Sequence, residues 1–159
     1  MTLKTILLAA TASLAFATPA FADIIVSDPY ARSSGPTAKS GAAFLMIENT
    51  GDQDDHLLSA SSDAAKRVEL HTHLENEMGV MSMIHVEDGF VILSGAKTYL
   101  ERGGKHVMFM GLNAPFVHGE EITITLVFRD AGEITVTVPI DLERKPMQSM
   151  DHGSTDHNN

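Results

Sequence analysis

Nine residues of this 159-residue chain place potential donor atoms at alternate positions: Glu69-x-His71-x-His73, Met81-x-Met83-x-His85 and His106-x-Met108-x-Met110. In an extended strand successive side chains point to opposite faces, so each triplet projects from one face, with Val107 and Phe109 behind the last. Thioether sulfur is a soft, uncharged ligand that suits Cu(I), and imidazole accepts copper in either oxidation state. Zinc sites prefer Cys, His and carboxylate, and calcium wants oxygen. A blue-copper electron carrier needs a Cys thiolate beside its two His ligands, and the chain has no cysteine. If the three strands end at one rim of a barrel, a mixed Met and His cluster follows.

A lone methionine in a strand is ordinarily core filler, and Met46 is read that way. What argues for metal chemistry is the conjunction of His-x-Met, Met-x-Met and His-x-His in one chain. Nine methionines are present, and five of them fall between Met78 and Met110. His56 and His118 have no partner motif and are read as surface histidines. A hydrolase built on His and Glu69 would need a Ser or Asp motif that the sequence lacks. An interaction module using the methionines as an exposed apolar patch is the other competing reading.

The elements that must position these groups are short. Runs rich in β-branched and apolar residues alternate with Gly, Asp, Asn and Pro clusters about every ten residues, the rhythm of an all-β sandwich or barrel. Strands are expected near Ile24-Ser27, Ala42-Glu48, His56-Ser59, Arg67-His73, Met81-Val86, Phe90-Leu93, Lys97-Leu100, His106-Leu112, Glu121-Phe128 and Glu133-Pro139. Asn49-Thr50-Gly51-Asp52 supplies turn residues, and Asp130-Ala131-Gly132 reads as a hairpin loop. The Thr alternation in the two runs flanking that loop predicts one core face and one wet face.

Lys4, an apolar run from Ile6 to Ala17 and Ala20-Phe21-Ala22 form the pattern of a signal peptide over residues 1–22. The expected location is the periplasm, and the expected mature form is one domain, residues 23–140, with no membrane span. The formal net charge is −10, which argues against nucleic acid as a partner. Residues 141–159 are polar and without a strand pattern, and are expected to form a disordered tail. Its Met147, Met150, His152 and His157 form a second candidate set, for Cu(II).

The chain resembles the periplasmic copper-chaperone family called PCu(A)C. The residues that carry the likeness are Asp28-Pro29-Tyr30-Ala31-Arg32, Ala42 to Gly51, Val68-Glu69-Leu70-His71, Gly79-Val80-Met81-Ser82-Met83 and His106 to Leu112. Position by position, the resemblance implies His71, Met83, His106 and Met108 as a two-His, two-Met copper site. The 11 residues between His71 and Met83 and the 22 between Met83 and His106 are each about one more than the family's spacing. Met81 therefore remains the alternative to Met83. Met81, Met110 and His73 are auxiliary candidates, and His85 is a neighbour of the site.

The resemblance further implies a cupredoxin-like Greek-key β-barrel or sandwich, and Cu(I) as cargo rather than a reaction catalysed. It implies delivery to a copper-recipient protein: the copper subunit of cytochrome c oxidase during assembly, or a Sco-type protein. Copper buffering or tolerance would use the same ligands.

Overall fold

The computed structural model describes residues 24–75 and 77–145. The expected signal peptide, 1–22, and the tail donors Met147, Met150, His152 and His157 lie outside the described residues. Ten strands follow one another: β1 (Ile24–Ser33), β2 (Ser40–Asn49), β3 (Asp55–Ser61), β4 (Ala65–Glu75), β5 (Met81–His85), β6 (Phe90–Ile92), β7 (Lys97–Leu100), β8 (His106–Leu112), β9 (Glu121–Phe128) and β10 (Glu133–Pro139). No helix occurs among the described residues. One sheet has the order β1-β2-β8-β4-β5, with β7 also paired to β2, and the other the order β10-β9-β3-β6. The architecture is an all-β sandwich and not a closed barrel.

Alternation explains the layering. The inward set of β2 (Ala43, Leu45, Ile47), Leu70 of β4 and Val107 and Phe109 of β8 are buried, as are Leu57, Ile92, Ile124, Leu126, Phe128 and Val138 from the facing sheet. Each such large apolar side chain contributes roughly 1.5–3 kcal/mol on burial. Gly41 lies inward opposite Phe109, and a Cβ there would come within 2.6 Å of the Phe116 ring. Phe116 meets Phe109 edge to face, with centroids 5.7 Å apart.

The β9–β10 hairpin has the expected form: Gly132 adopts φ +76°, and the Thr125 and Thr135 hydroxyls lie 3.4 Å apart on the wet face. β1 runs longer than its apolar pattern suggests. The register shifts between Ser27 and Tyr30 and Asp28 sits at φ +51°, so Asp28-Pro29 forms a bulge inside the strand instead of ending it.

The chain after Ile140 departs from the expected disordered tail in its first five residues. Asp141 donates its N–H to the Ala31 carbonyl at 2.9 Å, and Arg32 Nη1 donates to the Arg144 carbonyl at 3.2 Å. The Arg144 guanidinium stacks 4.2 Å from the Tyr30 ring centroid and bonds the Asp28 carboxylate. Asp141 and Arg144 are held because β1 offers each of them a partner.

Candidate metal centre

Strand β8 lies between β2 and β4, and β5 forms the edge of the sheet beyond β4. The register sets His71 opposite His106, Glu69 opposite Met108 and Arg67 opposite Met110. Across the next pair His71 faces His85, His73 faces Met83 and Glu75 faces Met81. All three triplets therefore share the outward face of one sheet. They do not meet at a barrel rim, because the sandwich does not close and the rows run sideways across hydrogen-bonded neighbours.

Although this face points away from the core, His106 is only 2% exposed and Phe44 is buried beside it, with ring centroids 6.1 Å apart. The His71 and His106 centroids are 6.0 Å apart, those of His73 and His106 5.3 Å, and those of His71 and His85 5.6 Å in a stacked pair. Residues 101–105, between β7 and β8, present the Gly104 carbonyl to the cluster. It accepts from His106 Nδ1 at 3.0 Å and from His73 Nδ1 at 3.3 Å.

These contacts fix tautomers. A carbonyl oxygen only accepts, so His106 carries its proton on Nδ1, and the lone pair is on Nε2. Glu69 Oε2 accepts from His71 Nε2 at 2.9 Å, which leaves the His71 lone pair on Nδ1. Both lone-pair nitrogens, His71 Nδ1 and His106 Nε2, are buried without a hydrogen-bond partner. Buried polar atoms are nearly always paired. An imidazole whose other N–H is held by a carboxylate or a carbonyl is the usual form of a metal-binding histidine.

Burial is the main cause that lowers the His106 pKa below its ordinary value, and the neighbouring His73 and His71 act in the same direction against the Gly104 bond. The hydrogen bond from His71 is the main cause that lowers the Glu69 pKa, helped by the charges of His85 and Arg67. Arg67 Nε reaches Glu69 Oε1 at 3.1 Å. Glu69 is thus an anchored anion that orients His71.

Met83 and Met108 line one open groove of about 500 Å³, together with Arg32, Ala42, Phe44 and Arg102. Met83 is 46% exposed and Met81, nearer the end of the hairpin, 52%. Met110 points elsewhere: its Sδ accepts from Arg67 Nη2 at 3.2 Å. Met46 does not join the core. It is half-buried on the outward face, in a small cavity with Tyr30, Tyr99 and Leu100.

Among the described residues no group of three or more His, Cys, Asp or Glu is disposed to hold a metal ion. His118 lies apart, 3.7 Å from Asp141. His56, read as a surface residue, is half-buried, with Nε2 enclosed. The orienting role of Glu69 escaped the sequence reading, although the Glu69-x-His71 spacing already places both on one face. The Gly104 carbonyl left no signal, since its direction depends on loop conformation.

The LpqE-like family model matches residues 24–140. A Leifsonia xyli subsp. xyli protein described as a lipoprotein is 37% identical over 99 residues, which cover 62% of this chain and 59% of that protein's length. The Cu(I)-bound solution structure of DR1885 from Deinococcus radiodurans superposes with a TM-score of 0.58 at 27% identity, covering 81% of this chain and 83% of that one. The copper-bound PCuAC domain from PmoF2 gives a TM-score of 0.63 at 20% identity, covering 77% of this chain and 96% of that one. The sandwich described above is therefore the cupredoxin-like fold of the PCuAC domains.

Proposed function

Because the chain belongs to the LpqE-like family and has the PCuAC fold, we propose that it carries Cu(I) outside the cytoplasm and hands it to a recipient protein. The ligands in this reading are His71 Nδ1, His106 Nε2 and the thioethers of Met83 and Met108. The observation that carries the reading is the pair of orphaned imidazole nitrogens, each held in its tautomer, beside a groove lined by two methionines. A metal would satisfy both nitrogens, and soft neutral sulfur selects Cu(I) among biological cations.

Copper is the cargo and no substrate is transformed. Met83 stands half-exposed on the edge strand, so a recipient's donor can replace it first, with the better-covered His106 released last. The copper subunit of cytochrome c oxidase and Sco-type proteins are the proposed recipients, with periplasmic copper buffering as the alternative role. Among the described residues no helix is long and apolar enough to cross a membrane.

The test is an anaerobic Cu(I) competition titration of the full chain and of His71→Ala, Met83→Ala and Met108→Ala. One Cu(I) per chain is expected, with affinity lowered at least about tenfold in each variant. Wild-type affinity in all three would overturn the ligand set. Met81→Ala separates the two neighbouring methionines, since it should leave the affinity unchanged.

A second reading rests on Leu74, Val80, Met81 and Ile84, which are all exposed on the β4–β5 hairpin: an apolar interaction module without metal. Such a module would bind Cu(I) only weakly, and His106→Ala would leave that binding unchanged.

A further inference from the structure

The groove beside Met83 and Met108 has a charge opposite to that of the chain. The sequence carries 21 Asp and Glu against 11 Lys and Arg, yet among the described residues the only charged ones that line this groove are Arg32 and Arg102. Arg102 continues into a neighbouring cavity of about 110 Å³, floored by Tyr30, Leu45, Met46 and Leu100, where it is joined by Arg144 and Lys145. Asp28 and Glu101 also border that cavity, and Asp28 is taken up by Arg144. Among the described residues Arg32, Arg102 and Lys145 have no carboxylate partner. Arg102 and Lys145 are exposed.

From this placement we propose that the arginine-lined groove and the cavity beyond it form the docking surface for the copper recipient, a protein that surrounds its metal-accepting donors with carboxylates. The inference rests on the Cu(I) reading above and names the chemistry of the partner. Ligand exchange brings the recipient's donors within bonding distance of the Cu(I) that Met83 and Met108 hold in this reading, so the recipient must cover the surface that these methionines share. On that surface it meets guanidinium groups without a carboxylate partner among the described residues, and such groups pair with carboxylates in a planar, bidentate way. The apolar floor of the adjoining cavity takes a side chain of the partner.

The charge of the cargo gives the contact a direction. Two neutral imidazoles and two thioethers leave the bound Cu(I) with its single positive charge, so the loaded face attracts an acidic recipient more strongly than the emptied one. Copper changes ligands without changing oxidation state, and no proton or electron has to be supplied. The carrier that has delivered its ion dissociates faster than the one that arrives.

The experiment uses two acceptor peptides with the same Met- and His-containing copper-binding centre, one flanked by glutamates and one by lysines. Cu(I) transfer from the loaded full chain is followed by stopped flow. The acidic peptide should be metallated on the order of tenfold faster or more at low salt, with the preference shrinking at high ionic strength. Arg32→Gln/Arg102→Gln should abolish the preference while the chain still takes up one Cu(I). Arg102→Glu alone, at an exposed loop position, should reduce it.

Equal rates for the two peptides, or an undiminished preference in the double variant, would overturn the docking proposal. Binding to phosphatidylglycerol vesicles in place of discrimination between the peptides would also overturn it, in favour of a membrane surface. If the chain takes up no Cu(I), the carrier reading falls. The docking surface is then read from peptide binding to the metal-free chain, where loss of the acidic preference in Arg102→Glu supports it and equal binding overturns it.

Discussion

Two histidines do different work from their neighbours because of what holds their other nitrogen. Glu69 takes the Nε2 proton of His71, the Gly104 carbonyl takes the Nδ1 proton of His106, and burial keeps His106 neutral. This last effect predicts a pH dependence of the metal-free chain. In the unfolded chain the imidazole titrates near its ordinary value of 6.5, whereas in the native state it resists protonation until lower pH. Below that ordinary value the unfolded state therefore binds more protons, and stability falls as pH falls. Glu69, whose native pKa is lowered, acts in the same direction further down: its contribution is present above 4.5 and is lost as pH drops through the native value. Urea midpoints measured from pH 7.5 to pH 5.5 should decline in the wild type and more shallowly in His106→Gln. An identical slope in both would contradict the burial argument. Strand parity made the Glu69, Met81 and His106 triplets legible in the sequence. It did not reveal which imidazole nitrogen stays free, because that depends on a loop carbonyl.

At the scale of elements, β7 to β10 were legible to the residue, since their alternation is strict and their ends are marked by Gly, Asp or a charged run. β1 was not. Asp28-Pro29 carries the residue types of a strand end, and only the pairing of Tyr30 with Phe44 beyond the bulge shows that the strand resumes. The contribution of Asp55 was also hidden. This buried aspartate opens β3, and its carboxylate accepts from the backbone N–H of His56 at 2.6 Å, Asp130 at 3.0 Å and Ala131 at 3.0 Å. It ties β3 to the turn between β9 and β10. Nothing local in the sequence marks an aspartate two of whose partners lie 75 and 76 residues away. Asp55→Ala leaves three backbone donors without an acceptor, at about 1–3 kcal/mol for each one that water does not reach. The variant should lose roughly 3 kcal/mol or more in chemical denaturation. Because Asp55 belongs to the sheet opposite the histidine cluster, the Cu(I) affinity of the fraction that folds should match the wild type. A loss below 1 kcal/mol would mean that water replaces the carboxylate.

For the molecule as a whole, the core closes between two sheets while the histidine cluster lies outside it, so folding and the proposed metal uptake draw on different faces of the same strands. Val107 and Phe109 are fully buried in the core, and His106, Met108 and Met110 alternate with them on the outward side. The strand rhythm suggested an all-β sandwich or barrel, but whether the sandwich closes into a barrel depends on long-range pairing that periodicity does not encode. The basic groove and the cavity beside it were equally hidden in a chain of net charge −10, since Arg32, Arg102 and Arg144 come from three separate segments. A site built on a face that the core already supports should exist before metal arrives. The metal-free chain should therefore unfold cooperatively, and Cu(I) should act by mass action on a folded state. At free Cu(I) about 1,000-fold above the dissociation constant the gain is about 4 kcal/mol, a rise in Tm of roughly 10–20 °C for a domain of this size. Anaerobic calorimetry of the full chain with and without Cu(I) measures the shift, which should collapse in His71→Ala and Met108→Ala. A metal-free chain with no thermal transition would mean that the metal builds the site instead of filling it.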